Sequence, residues 1–281
     1  MLCVICGSGA FHFQFEKDTY RIEKCSLCDL VQVTNIPPIQ KIEECYDKGF
    51  FETYYGDLSS NNRKQRYEYL NFGNKLDQIE KRLGRRGRLL DVGCSFGFFL
   101  DAARQRGWSV AGVELSGYAA AYARDKFGLT VINKPVLDAQ CDTKSFDVIT
   151  MWYVVEHLPN PKDVLGHLRS LLKDDGMLVV STANVDSYRA RSEGKRWRMW
   201  IPPEHLLYFC PTTIRHLFNS CDLEIIGYET ALPYERYFRR MGLYPLMNRL
   251  QISDNVVYYA RKAAKPPPFA ERQALLRIAV P

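Results

Sequence analysis

The segment Arg88-Leu-Leu-Asp-Val-Gly-Cys-Ser-Phe-Gly-Phe-Phe-Leu100 constrains this chain more than any other. Leu89, Leu90 and Val92 form an apolar run suited to a strand covered on both faces. Gly93 and Gly97 bracket a tight turn, where missing side chains let backbone approach a ligand. A helix follows, and its first N–H groups point at whatever occupies the turn. Such a unit predicts an α/β fold with its ligand at the carboxyl edge of the strands. Asp91, at the end of the strand, is a candidate to hold a polar ligand group there.

A second acid narrows the ligand. Ser109-Val-Ala-Gly-Val-Glu114 reads as the next strand, and Glu114 lies 21 residues beyond Gly93. An acid about 20 residues on is placed to accept hydrogen bonds from ribose hydroxyls. The turn itself does not suit a dinucleotide. Ser95 stands at the second glycine of G-x-G-x-x-G and Phe98 at the third. A pyrophosphate needs close backbone approach at the former and tight helix packing at the latter. S-adenosylmethionine (SAM), which has ribose and adenine but no pyrophosphate, fits better. A nicotinamide-dependent oxidoreductase is disfavoured on the same ground, and no Tyr-x-x-x-Lys pair lies on the helix after the fourth strand.

Together these motifs resemble class I SAM-dependent methyltransferases. The resemblance rests on Leu89 to Leu100, on Gly112-Val-Glu-Leu-Ser116, on Phe146-Asp-Val-Ile-Thr-Met-Trp-Tyr-Val-Val-Glu-His-Leu-Pro159 and on Asp174-Asp-Gly-Met-Leu-Val-Val-Ser-Thr182. It spans roughly Arg86 to Lys262 and implies a Rossmann-like seven-stranded α/β sheet with helices on both faces. It also implies cofactor binding by Asp91, Gly93, Cys94, Gly97, Glu114 and Leu115. Val136 and Leu137 would pack the adenine, Asp138 would meet its amine, and Trp152 and Tyr153 would line the methyl-transfer site. Ser95 departs from the family's middle glycine.

The cysteines organise the other end of the chain. Of nine, four form Cys3-x2-Cys6 and Cys25-x2-Cys28, a spacing that predicts a structural zinc ribbon over residues 1–36. Four thiolates complete a tetrahedron, so a catalytic zinc is disfavoured and His12 is left as a strand residue. So small a segment lacks the core to fold alone, and metal would supply folding energy. Cys45, Cys94, Cys141, Cys210 and Cys221 are scattered and read as free thiols. Residues 37–85 read as a helical lead-in that caps the cofactor site, with an aromatic stretch at Phe50–Tyr55 and with Arg63 and Arg66 placed to meet a cofactor carboxylate. Residues 86–265 form the SAM-binding domain and 266–281 a tail. A helix N-cap is expected at Thr212.

The connection from Asn184 to Pro203 is long for an α/β fold and carries Arg189, Arg191, Lys195, Arg196 and Arg198 around Trp197 and Trp200. It reads as a lid that grips an anion and stacks a ring. Arg236, Tyr237, Arg239 and Arg240 add to that basic, aromatic character. Methyl transfer to a hydroxyl gains from a base, and histidine suits that role. His157 follows the fourth strand and His205 follows the basic connection, each after a glutamate. Glu156, His157 and His205 are therefore the candidate catalytic residues. His167 and His216 fall within predicted helices.

A net charge of +6 is mild and, with a ribbon that is not strongly basic, argues against nucleic acid. No run of about 18 apolar residues predicts a membrane span. The first residues lack the basic and apolar regions of a signal peptide, so a cytoplasmic monomer or homodimer is expected. The ribbon-bearing methyltransferases closest in appearance resemble sugar- and polysaccharide-modifying enzymes. Those that methylate sugar carbon carry a further C-terminal domain that this chain has no room for. The expected activity is methylation of a hydroxyl on a small anionic acceptor of the sugar, sugar-phosphate or nucleotide-sugar type. The alternatives are an RNA methyltransferase or binding module using the ribbon, and a SAM-binding protein without catalysis.

Overall fold

A computed structural model of the chain describes residues 1–55, 63–231, 242, 246 and 253–264, without the side chains at 39, 43, 50, 54, 55, 63–71 and 231. The side chains of Arg63 and Arg66, Arg236 to Arg240 and the tail 266–281 thus lie outside the described residues. Two compact units divide the chain. One comprises 1–37, 153–169 and 179–281, the other 38–152 and 170–178.

The first unit opens with β1 (Phe11–Lys17), β2 (Tyr20–Cys25) and β3 (Val31–Val33). Asp18 and Thr19 join β1 to β2 with φ of 49° and 69°. Two left-handed residues make a hairpin turn that matches the right-handed strand twist. The knuckles Cys3–Cys6 and Cys25–Cys28 are each followed by a left-handed residue, Gly7 at φ 75° and Asp29 at φ 63°. In each, the residue after the second cysteine donates its N–H to the first cysteine's carbonyl, Gly7 to Cys3 at 2.9 Å and Asp29 to Cys25 at 3.1 Å.

The second unit supplies α1 (Ile39–Glu44), α2 (Lys48–Tyr55), α3 (Arg63–Leu83), β4 (Arg88–Val92), α4 (Phe98–Gln105), β5 (Ser109–Val113), α5 (Gly117–Phe127), β6 (Val131–Ile132) and β7 (Phe146–Trp152). The boundaries follow local chemistry. Ser116 caps α5 through Ala119 N–H, and Gly128 ends it in the left-handed conformation at φ 63°. β4, β5, β6 and β7 pair in parallel, and burial on both faces accounts for their continuous apolar runs. The chain continues with α6 (Pro161–Leu171), β8 (Leu172–Ala183), α7 (Tyr188–Glu193), β9 (Leu207–Tyr208), α8 (Pro211–Ser220), β10 (Leu223–Ala231) and β11 (Asn255–Lys262). Seven strands form one mixed sheet in the order β10-β11-β8-β7-β4-β5-β6, with β10 and β11 antiparallel.

The N-terminal sheet contains a fourth strand from far along the chain. β9 pairs antiparallel with β3, Val31 opposite Tyr208 and Gln32 opposite Leu207. Its core is shared in the same way. Phe15, Ile22, Val31 and Val33 pack with Ala190, Trp197, Trp200 and Tyr208. Phe15 and Trp200 meet edge to face at 5.0 Å. Trp197 and Trp200 are 2% and 7% exposed, which corrects their expected role in stacking a ligand ring. They are core residues, held further by Trp197 Nε1 donating to Asp254 at 3.2 Å and Trp200 Nε1 to the Gly194 carbonyl at 2.9 Å. The cap of α8 is Cys210 rather than Thr212. The Thr213 hydroxyl reaches back to accept from Cys210 N–H at 2.8 Å.

Candidate active site

The cofactor-type residues gather in the second unit, around the turn between β4 and α4. Gly93 and Gly97 have φ of 69° and 78°, and Ser95 between them has φ of 51°. A left-handed serine is uncommon. It is held here because its N–H donates to Glu114 Oε2 at 2.8 Å, while Glu114 Oε1 accepts from Ser116 N–H at 2.9 Å. A Cβ on Gly97 would sit 2.6 Å from Leu129 Cδ1, so this position is closed to any side chain. Glu114 directly follows β5 with 6% exposure, and burial raises its pKa against the pull of those N–H donors. Its carboxylate keeps lone pairs beyond the two N–H contacts, the acceptor set that a ribose diol needs.

Asp91 lies at the end of β4, 2% exposed, and accepts the Thr150 hydroxyl at 2.6 Å. Burial pushes its pKa up to about 7, opposed by the Thr150 bond and the Lys75 charge. Lys75, from α3, lies 4.1 Å from the centre of the Trp152 ring. Trp152 stacks edge to face on Phe99 at 5.1 Å. Cys94 is buried behind the turn against Gly112, where a Cβ would come 2.5 Å from its sulfur. Leu115 is half-buried, and Asn133 donates to both the Glu114 and Leu115 carbonyls at 2.8 Å. Val136, Leu137 and Asp138 form a single helical turn, with Leu137 46% exposed, so an apolar face is available there. Phe51 of α2 packs on Phe96 of the turn at 5.1 Å, within a cluster that includes Phe98 and Ala119. Sequence reasoning missed Lys75, Thr150 and Asn133. A lone threonine inside the apolar run of β7 was the one available signal.

The three catalytic candidates come together in the first unit. Glu156, His157 and His205 each offer a ligand-type atom, and these atoms lie within 4.8 Å of one another. The two imidazoles meet edge to face at 4.8 Å. His157 Nδ1 contacts the Glu204 carbonyl at 2.7 Å and His205 Nδ1 the Met199 carbonyl at 3.0 Å. A carbonyl only accepts, so both Nδ1 atoms carry the hydrogen. Burial lowers the His157 pKa to about 4, against the Glu204 and Tyr153 backbone groups. Burial, then repulsion from His157, lowers that of His205 to about 3. Glu156 is 1% exposed, and burial raises it to about 7. Neither of its oxygens has a hydrogen-bond partner among the described residues. Tyr153 has φ of 57°, with its N–H donating to Ser181 Oγ at 3.0 Å. A bulky left-handed residue at a strand end is stored strain of the kind that gathers at functional sites.

Backbone bonds tie this cluster to the N-terminal sheet. Val33 N–H donates to the Leu206 carbonyl and Leu206 N–H to the Glu156 carbonyl, each at 2.9 Å. A cavity of about 360 Å³ in the same unit is lined by Lys17, Asp18, Lys195, Arg196, Arg198 and Glu204, with Trp197 and Trp200 also in its wall. The four ribbon cysteines also converge, with Cys3–Cys28 and Cys6–Cys25 sulfur separations of 3.5 and 3.4 Å.

A family model described as a methyltransferase domain matches residues 62–227, more than half of the chain. The chain belongs to this methyltransferase family. A protein named ubiquinone biosynthesis O-methyltransferase from Hahella chejuensis is 27% identical over 68% of this chain and 82% of its own length. One of the same name from Glaesserella parasuis is 33% identical over 34% of this chain. The chain spans about half the length of several curated relatives it matches, 45% in that case. Among solved structures, magnesium protoporphyrin IX methyltransferase from Synechocystis, with bound S-adenosylhomocysteine (SAH), aligns at TM-score 0.59. The alignment covers 80% of this chain and all of that one, at 15% identity. A SAM-dependent methyltransferase from Thermotoga maritima aligns at 0.54 over 75% and 98%, at 19% identity. These likenesses show the class I methyltransferase fold. Among the described residues no helix is long and apolar enough to cross a membrane.

Proposed function

We propose that this methyltransferase moves the methyl group of SAM to a hydroxyl of a small anionic acceptor. The observation that carries the cofactor reading is the Glu114 carboxylate, locked by Ser95 and Ser116 N–H groups beside a side-chain-free turn. Glu114 would take the ribose hydroxyls, and Gly93 and Gly97 would leave room for the ligand against the backbone. Asp91 would meet the cationic amino-acid end, Val136 and Leu137 would pack the adenine, and Asp138 would meet its amine. SAM supplies an activated methyl on sulfonium, so the protein's contribution is mainly proximity and alignment.

The cluster at Glu156, His157 and His205 would receive the acceptor hydroxyl. Burial keeps its imidazoles neutral and, by lowering their pKa values, makes them weak bases, so the cluster would orient the hydroxyl by hydrogen bonding more than remove its proton. The relatives' name, which specifies O-methylation, supports oxygen as the acceptor atom. The basic cavity with Lys17, Lys195, Arg196 and Arg198 supports an acidic group on the acceptor, as on a sugar phosphate or nucleotide sugar. Cys3, Cys6, Cys25 and Cys28 would hold a structural zinc. Tetrahedral thiolates at a Zn–S distance of about 2.3 Å stand roughly 3.8 Å apart, close to the separations found.

The test is SAH release with mass spectrometry of the acceptor. Phosphorylated and nucleotide-linked sugars are compared with their neutral counterparts and with a simple phenol. Methylation confined to the charged sugars is expected. Equal turnover of neutral ones would remove the role given to the basic cavity, and failure to bind SAH in calorimetry would remove the cofactor reading.

A further inference from the structure

The five basic residues on the connection between β8 and β9 fall into two sets. Arg189 pairs with Glu193 at 2.6 Å, and Arg191 faces Asp186 at 3.8 Å. Among the described residues Arg196 and Arg198 have no hydrogen-bond or ion-pair partner, and Lys195 rests over the Phe15 ring at 5.8 Å. Those last three line the cavity of about 360 Å³, and the first two do not. The connection thus gives acids to its cations away from the cavity and leaves them without acids around it. The rest of the charged wall is Lys17, Asp18 and Glu204, with Lys17 and Asp18 paired at 3.5 Å. Four cations stand against two acids, a surplus of two positive charges. A phosphate monoester carries about −1.5 to −2 at neutral pH, which matches that surplus.

We infer that Lys195, Arg196 and Arg198 grip the phosphate of a phosphomonoester in this cavity, read by charge and oxygen geometry with no ring stacked beside it. A monoester gathers its charge on three oxygens of one phosphorus, which suits donors converging from one segment. Arginine forks take such oxygens in pairs. The segment is set before any ligand arrives. The Gly194 carbonyl accepts both Trp197 N–H at 3.1 Å and Trp200 Nε1–H at 2.9 Å, which closes the turn that carries Arg196 and Arg198. Little ordering is then left for binding to cost. Trp197 and Trp200 are buried in the wall, so neither indole offers a face to a base. Glu204, in the same wall, accepts His157 Nδ1–H through its carbonyl at 2.7 Å, which links the cavity to the histidine cluster. The inference deepens the acceptor reading, and it rests on that reading only for the phosphate belonging to the acceptor.

The experiment titrates the full chain, without SAM, with ribose 5-phosphate, uridine monophosphate, uridine diphosphate glucose and ribose, followed by calorimetry. Ribose 5-phosphate and uridine monophosphate should bind within about threefold of each other, because the base is not read. Uridine diphosphate glucose, whose charge is spread over two phosphorus centres, should bind about tenfold weaker, and ribose should not bind. Arg196→Gln and Arg198→Gln should each weaken ribose 5-phosphate by about tenfold, the loss of one charge-assisted fork. Arg191→Gln removes a cation paired outside the cavity and should change the affinity by less than about threefold. The inference is overturned if ribose 5-phosphate shows no saturable binding at millimolar concentration. It is equally overturned if either uridine nucleotide binds about tenfold tighter than ribose 5-phosphate, or if Arg191→Gln costs as much as Arg198→Gln, the mark of a diffuse basic surface. Melting of each variant shows that it is folded, and Arg198→Lys, which keeps the charge without the fork, replaces Arg198→Gln if it is not. SAH calorimetry and methylation assays with the same phosphates read the methyl-transfer proposal separately. Phosphate held in the cavity without methylation would support this site and count against the acceptor reading alone.

Discussion

Replacing Glu114 by Gln tests the cofactor site most directly, because it keeps size and shape and changes only charge and one acceptor. In the native turn each carboxylate oxygen takes one backbone N–H, Oε2 from Ser95 at 2.8 Å and Oε1 from Ser116 at 2.9 Å. Glutamine has a single acceptor oxygen, so one N–H loses its partner and faces an amide NH2 instead. Stability should fall by about 1–3 kcal/mol, the cost of one unsatisfied buried donor. Binding suffers separately. Hydrogen bonds to a charged group contribute about 1.5–3 kcal/mol each, and a neutral amide keeps part of that. With Glu114 only 6% exposed, solvent screens little of the loss. The SAH dissociation constant should therefore rise by roughly 30- to 150-fold, equivalent to about 2–3 kcal/mol. Titration calorimetry with SAH, paired with melting of the free protein, reads both effects. A variant that melts lower yet binds SAH within about threefold of the native value would refute the ribose role. Glu114 would then be a clamp for the turn alone.

Three further outcomes follow from the same geometry. Asp91, raised to about 7 by burial, is largely protonated below that pH in the free protein, and ionising it favours a cationic ligand. SAM affinity should thus climb as pH rises to about 7 and level off above it, and Asp91→Asn should flatten the profile, as calorimetry across that range would show. Gly97→Ala combines left-handed strain at φ 78° with a Cβ 2.6 Å from Leu129 and 2.9 Å from Ala123. A loss of about 3 kcal/mol is expected, lowering the melting temperature by roughly 6–12 °C in scanning calorimetry. If the four cysteines hold zinc as proposed, Cys25→Ser should release it and alter the near-ultraviolet circular dichroism of Trp197 and Trp200, which share the core of the N-terminal sheet. SAH affinity, which rests on the other unit, should stay within about threefold. An unchanged tryptophan spectrum after zinc loss would show that the shared core stands without the metal.

How much of this protein was written in its sequence depends on the range of the interactions. β4, its turn and Glu114 were legible because their signals are local. An apolar run, glycines that need positive φ and an acid at a set distance each act within one βαβ unit. The two C-x2-C pairs were legible as local patterns, whereas the sulfur contacts Cys3–Cys28 and Cys6–Cys25 join residues 25 and 19 positions apart and needed the fold. The proximity of Glu156, His157 and His205 was not legible. His205 is 48 residues beyond His157 in the chain, and only the fold sets their rings 4.8 Å apart. Trp197 and Trp200 were misread because an aromatic between arginines looks the same in sequence whether it faces a ligand or a core. What buries them is the face offered by Phe15, Ile22 and Val33, more than 160 residues earlier. Local sequence thus determined the strands, the turn and the ligand spacing. Tertiary structure alone decided which long-range partners met, because burial and desolvation depend on what the rest of the chain places around a side chain.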